Sequence, residues 1–267
     1  MTQGDSRLLD RYYDVVMETG RVPGNVRFYL DYLFRGINLS GATVLDVGAG
    51  DGLFSFYVAC AGATKVVSLE PEAAGSTPGV NEAFGRMASL LEQDQVELVP
   101  KRLQEYEATD LSFDLLILIA SINHLDEDAC TRLHRDLEAQ DRYLGLFRKL
   151  AACANPAARL VVCDCGRRNL FADAGVKNPL APMIEWQKHQ SPQLWARLLA
   201  RVGFVNPVIR WSSFNTLRSF GRVLLGNRVA AYCLTSSFTL IMEKDRVLSP
   251  VSTASLGDAL PQSRPTS

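Results

Sequence analysis

Apolar side chains recur at helical spacing over residues 7 to 36: Leu8, Leu9, Tyr12, Tyr13 and Val16, then Phe28, Tyr29, Tyr32 and Leu33. A ValProGly break at 22 to 24 divides the stretch, so the pattern predicts two helices. From residue 42 the spacing changes. The short runs ATVLDVG, TKVVSLEP, QVELVP, FDLLILIA and ARLVVCD are separated by helix-length stretches, and their Val, Ile and Leu do not alternate with polar residues. Strands buried on both faces have this look, and helices between them imply parallel order with right-handed crossovers. The prediction is a doubly wound α/β sheet.

Two more strands are expected at 204 to 212 (FVNPVIRWS) and 230 to 243 (AAYCLTSSFTLIME), without room between them for a long packed crossover helix. One late antiparallel strand on a mostly parallel sheet follows. The helix before them has clear ends, with Ser191 as N-cap, Pro192 in the first turn and Gly203 as terminator. The tail, VLSPVSTASLGDALPQSRPTS, is rich in Ser, Thr and Pro and poor in aromatics, which predicts disorder. The expected division is an N-terminal helical cap at 1–40, a main α/β domain at 41–245 with insertions near 166–190 and 213–228, and a disordered tail at 246–267.

Composition narrows the partners. At 47% hydrophobic and 21% charged, with a formal charge of -1, the chain has no global electrostatic drive toward nucleic acid. The start MTQGDSRLLDRYYD carries acids where a signal peptide needs a basic segment, and the longest apolar run, LLILIA, is too short to span a bilayer, so a cytoplasmic protein is expected. The six cysteines form no CxxC pair and suggest neither a disulfide framework nor a zinc site.

The chemistry concentrates in VLDVGAGDG, residues 44 to 52. A strand, then Gly48, Gly50 and Gly52, then an apolar helix start puts backbone amides at a helix N-terminus, where a ligand is favoured. A GxGxxG dinucleotide loop would need glycine or alanine at 53, where Leu53 stands, and a P-loop would need Gly-Lys-Ser/Thr. About twenty residues on, VVSLEPE ends its strand in Glu70, a carboxylate suited to two neighbouring hydroxyls.

The string VLDVGAGDGLFS with Glu70 resembles motif I and the following acidic strand end of the class I S-adenosylmethionine-dependent methyltransferases. The resemblance covers roughly residues 40 to 165 and implies a seven-stranded Rossmann-like sheet with S-adenosylmethionine as cofactor. It implies a cofactor site of Asp46, Gly48, Ala49, Gly50, Gly52, Glu70 and Pro71. Leu103 and Gln104 follow where an adenine contact is expected, beside Arg102, and the family's usual aspartate is missing there. Ala120 and Ser121 come from the loop after FDLLILIA.

That loop, SerIleAsnHisLeu, lacks the Asn/Asp-Pro-Pro-aromatic quartet of enzymes that methylate base amines or glutamine, and resembles the histidine-bearing form of small-molecule methyltransferases. His124 is therefore a candidate base, since a hydroxyl acceptor must lose a proton. Glu185 and His189, four apart, would share one helix face and form a second candidate pair. His134 lies in an acidic helical stretch and reads as surface. Asp164, Arg167 and Arg168 stand where acceptor polar groups can be held, and Tyr12, Tyr13, Arg27 and Tyr32 are expected to close over the cofactor. No metal is expected.

From Trp186 to Ile241 there is no acid but seven Lys or Arg residues, with arginines interleaved among Phe and Leu at 214 to 226. This pattern fits a solvated face, an anionic acceptor or a membrane surface. The expected function is methyl transfer to a small molecule, at oxygen rather than nitrogen. The alternatives are a lipid-linked or anionic saccharide acceptor at a membrane, N-methylation, and a non-catalytic S-adenosylmethionine-binding subunit.

Overall fold

The computed structural model describes residues 3–73, 76–107, 111–212 and 218–246. Two helices, α1 (Gln3–Glu18) and α2 (Pro23–Leu33), precede a seven-stranded sheet. The strands are β1 (Thr43–Val47), β2 (Lys65–Leu69), β3 (Val96–Val99), β4 (Phe113–Ile119), β5 (Ala154–Cys165), β6 (Phe204–Trp211) and β7 (Ser237–Lys244). Helices α3 (Leu53–Cys60) and α4 (Val80–Leu91) link β1 through β3, while α5 (Glu127–Arg132) and α6 (Leu137–Ala152) lie between β4 and β5. Then come α7 (Leu170–Asp173), α8 (Pro192–Ala200), α9 (Arg218–Leu225) and α10 (Arg228–Cys233).

The strand order is β3-β2-β1-β4-β5-β7-β6. All pairs are parallel except those of β7, which runs antiparallel to β5 and β6. Because the sheet grows outward in both directions from β1 and β4, the crossovers leave on opposite faces and a crevice opens where those two strands end.

Side chains alternate across each strand. Leu45, Val47, Leu116 and Leu118 pack on one face against the aromatic cluster of Tyr143, Phe147 and Trp195 from α6 and α8. Val44, Leu115 and Ile117 pack on the other against α1 to α4, where Tyr12, Phe56 and Phe84 are buried. Fully burying an aliphatic or aromatic side chain stabilises by about 1.5–3 kcal/mol, so both layers hold the sheet edge under the site in place.

Helices start where side chains cap them. Asp136 accepts from Glu138 N and Ala139 N at the start of α6, and Ser191 accepts from Leu194 N at the start of α8. The expected strand 230 to 243 is half wrong. Residues 228 to 233 form α10, whose N-cap Asn227 accepts from Ala230 N at 3.0 Å, and the strand begins only at Ser237. Tyr12, Tyr13 and Tyr32 are buried packing residues: Tyr12 OH donates to Leu53 O, Tyr32 OH donates to Trp211 O, and Arg27 stacks over the Tyr13 ring at 4.4 Å. Residues 213–217 of the expected insertion and 247–267 of the expected tail lie outside the described residues. Among the described residues no helix is long and apolar enough to cross a membrane.

Candidate active site

The glycine loop is folded by its neighbours as much as by its glycines. Gly48 N and Ala49 N both donate to Leu69 O, at 2.8 and 3.1 Å, which pins the loop to the end of β2. Gly50 N donates to Glu70 Oε2 at 2.9 Å, while Glu70 Oε1 accepts from Glu72 N at 3.0 Å and Ser76 Oγ at 2.7 Å. Three of the roughly four acceptor positions of this buried carboxylate are thus engaged by the protein itself.

Gly48 has φ +75, and a Cβ there would lie 2.5 Å from Ser121 Cβ. Ser121 Oγ in turn donates to Val47 O at 2.5 Å. Glycine is therefore required where the loops after β1 and β4 touch. Gly52, φ +85, starts α3 in the same way, with the rings of Phe56 and Phe84 occupying the space of a side chain.

Above these loops lies a cavity of about 810 Å³ at the crevice between β1 and β4. From the glycine loop and β2 it is lined by Gly48, Gly50, Glu70 and Pro71. From the loops after β3 and β4 come Leu103, Gln104, Ala120, Ser121 and His124. Leu69, Val80 and Ile119 add apolar wall, and Arg102 also faces in. An apolar slot beside a carboxylate and a glycine-lined floor suits a nucleoside with a charged amino acid end, so the residues fit S-adenosylmethionine.

Asp46, Ala49 and Gly52 do not line the cavity; they shape its floor from beneath. Asp46 is buried, with Oδ2 accepting from Ser55 Oγ at 2.7 Å, and Ser68 Oγ donates to Ser55 Oγ at 2.8 Å. Burial pushes its carboxyl up to about 7; the Ser55 hydrogen bond opposes the rise and the Glu70 charge adds to it.

A 3-10 turn, Ile122–Leu125, carries His124 to the cavity rim. The buried Tyr143 hydroxyl faces the carbonyls of Ile122, Asn123 and Asp126 at 3.1, 3.1 and 3.2 Å and holds this turn against the core. His124 Nδ1 lies 2.6 Å from Glu127 Oε1, and Asn123 Nδ2 lies 3.3 Å from His124 Nε2.

The expected Glu185–His189 pair is not made. Residues 186 to 188 form a 3-10 turn, in which positions four apart no longer share a face. Glu185 is exposed and pairs with Lys188 at 2.5 Å, while His189 Nδ1 bonds Asp164 Oδ1 at 2.9 Å beneath the end of β5. Neither lines the cavity. His134 is exposed. Arg167 donates to the carbonyls of Thr131 and Gln187, and Arg168 pairs with Asp173, so both brace the insertion.

Several cavity residues with evident roles were not singled out from sequence. Ser76 fixes Glu70, Glu127 holds His124, and Arg142 from α6 pairs with Asp126 at 2.6 Å on the rim. Only Glu127, three residues beyond His124 at a helix start, left a readable signal.

A family model for a methyltransferase domain matches residues 21–207. No curated protein sequence matches. In fold the chain is similar to an S-adenosylmethionine-dependent methyltransferase from Aquifex aeolicus, with 15% identity over 87% of this chain and 98% of that one, at a TM-score of 0.56. It is also similar to a putative O-methyltransferase from Nostoc punctiforme PCC 73102, with 13% identity over 87% and 60% at a TM-score of 0.53. The N-methyltransferase NodS from Bradyrhizobium japonicum WM9 gives 12% identity over 82% and 96%, with a TM-score of 0.50. At these identities the likeness is one of fold.

Proposed function

The chain belongs to the methyltransferase-domain family and uses S-adenosylmethionine, and from that premise we propose that it methylates a hydroxyl oxygen of a small molecule, with His124 as the base. One observation carries the reading. Of the three histidines in the chain, His124 alone lines the cavity, with its side chain 39% exposed, while His189 is committed to Asp164.

In this reading Gly48, Gly50, Glu70, Pro71, Leu103, Gln104, Ala120 and Ser121 hold the cofactor, and Asp46, Ala49 and Gly52 keep the loop in shape. The bound cofactor supplies a methyl group on a positive sulfur. A neutral hydroxyl would lose its proton as the new carbon–oxygen bond forms and the methyl–sulfur bond breaks, and Nε2 of His124, which faces Asn123 Nδ2 at 3.3 Å, would receive it in exchange for that contact. The rigid β4 loop sets the imidazole in place beforehand, which lowers the barrier by orientation rather than covalent help. Glu185 and His189 are committed to Lys188 and Asp164 outside the cavity and take no catalytic part in this reading.

The test is transfer of labelled methyl from S-adenosylmethionine to a panel of hydroxylated and amino small molecules, with the product bond identified by mass spectrometry. His124→Ala is expected to lower kcat by about 10²-fold or more with cofactor affinity unchanged by calorimetry. Wild-type turnover in this variant, or methyl found only on nitrogen, overturns the assignment.

A second reading, an acceptor presented at an anionic membrane surface, is favoured by the exposed Val223, Leu224 and Val229 on α9 and α10 beside the exposed Arg228. Sedimentation with phosphatidylglycerol vesicles but not with phosphatidylcholine vesicles would support it.

A further inference from the structure

We propose that Glu127 is a positioning residue that fixes the tautomer of His124, and that Lys188 holds Glu127 in that role. This rests on the reading of His124 as base. Glu127 is the first residue of α5, whose start is set by Asp126 Oδ1 accepting from Ala129 N at 3.0 Å. A carboxylate at that position is favoured by the helix N-terminus, and its backbone is fixed by the cap.

Its two oxygens serve different partners. Oε1 lies 2.6 Å from His124 Nδ1 and Oε2 lies 2.9 Å from Lys188 Nζ, which also reaches Glu185 Oε2 at 2.5 Å. Burial raises the Glu127 carboxyl, but the hydrogen bonds from Lys188 and His124 outweigh it and hold the group below its ordinary range. An ionised carboxylate only accepts, so Nδ1 must carry the ring proton. On the other side Asn123 Nδ2 lies 3.3 Å from Nε2, an arrangement that matches a bare Nε2 accepting from the amide. Both neighbours of the ring therefore select one tautomer, with the basic nitrogen free to exchange Asn123 for an acceptor hydroxyl.

Magnitudes separate this role from a merely structural one. The side chains of Glu127 and Lys188 are each 30% exposed, and ion pairs so exposed change a folding equilibrium by no more than about fivefold. A charge-assisted hydrogen bond biases a tautomer by about tenfold or more. The chain Glu185–Lys188–Glu127–His124 also ties the segment after α7 to the cavity rim.

The experiment reads the ring nitrogens directly, by 15N NMR of histidine-labelled full-length protein with S-adenosylmethionine bound; the His124 signals are identified by their loss in His124→Gln. The unmutated protein is expected to show protonated Nδ1 and bare Nε2. Glu127→Ala should shift the population toward the Nε2–H form, whereas Glu127→Gln, which keeps an accepting oxygen, should retain the native tautomer. Glu82→Ala, which removes an equally local pair with Arg86, should change nothing. A native Nε2–H tautomer, or a spectrum unmoved by Glu127→Ala, overturns the proposal, and the first of these needs only the His124→Gln variant, used for assignment, to fold. The two readings separate cleanly. If Glu127→Ala shifts the tautomer while His124→Ala keeps full turnover, the positioning stands and the base assignment falls; the reverse pattern removes Glu127 alone.

Discussion

A carboxyl held up to about 7 by burial makes Asp46 a stability variable. The folded chain keeps its proton between pH 3.8 and about 7, where the unfolded chain has released it. Stability from this group is therefore intact at the acid end and falls as pH rises through that window, by up to about 1.4 kcal/mol per unit, then levels off. Asp46→Asn keeps an oxygen for Ser55 and removes the titration. Its melting temperature should move toward or above that of the wild type on going from pH 5.5 to pH 8. Parallel pH curves for the two proteins would assign the slope to another group. At this scale the sequence was readable for identity and not for pairing. VLDVGAGDG and Glu70 were legible as one constellation because its geometry is local, with Glu70 reaching back to Gly50 across one β-α-β unit. His189 was matched with Glu185 because spacing of four presupposes an α-helix, and its true partner, Asp164, is brought in by the sheet from 25 residues away.

Elements join at the contact between the loops after β1 and β4, and Gly48 is the residue that permits it. A Cβ at Gly48 meets Ser121 Cβ at 2.5 Å in a backbone conformation with φ +75, so Gly48→Ala must displace one of the two loops. Both line the cavity, which leads to a loss of cofactor affinity of about tenfold or more, against a strain of about 1–3 kcal/mol on the fold. Calorimetry with S-adenosylmethionine on a variant that still melts cooperatively measures it, and native affinity would show that the loops tolerate separation. The strands were legible because their Val, Ile and Leu runs are buried on both faces. The helix α10 was not, since a short run such as AlaAlaTyrCysLeu has no period that tells a turn of helix from a strand. Its one local signal is Asn227, a capping residue at the required offset from Ala230.

For the molecule as a whole, the two N-terminal helices and the glycine loop share their fastenings. Tyr12 OH donates to Leu53 O at 2.8 Å, Arg21 pairs with Asp51 at 2.8 Å, and the ring of Tyr29 meets that of Phe54 edge-on. Asp51, Leu53 and Phe54 all belong to the glycine loop or the first turn of α3, so whatever orders that loop also orders the seat of α1 and α2. The two polar ties together contribute about 1–2 kcal/mol, a factor of about 5 to 30 in the local opening of the cap. Cofactor at a hundred times its Kd stabilises the folded chain by about 2.7 kcal/mol, enough to suppress openings that release the loop. Hydrogen exchange measured by mass spectrometry should therefore slow in α1 as well as in β1 and β4 when S-adenosylmethionine is added. In the double variant Tyr12→Phe, Arg21→Ala the added protection of α1 should shrink while that of β1 and β4 stays. If α1 exchanges at the same rate with and without cofactor in the unmutated protein, the cap is a passive layer, and its links to the loop transmit nothing.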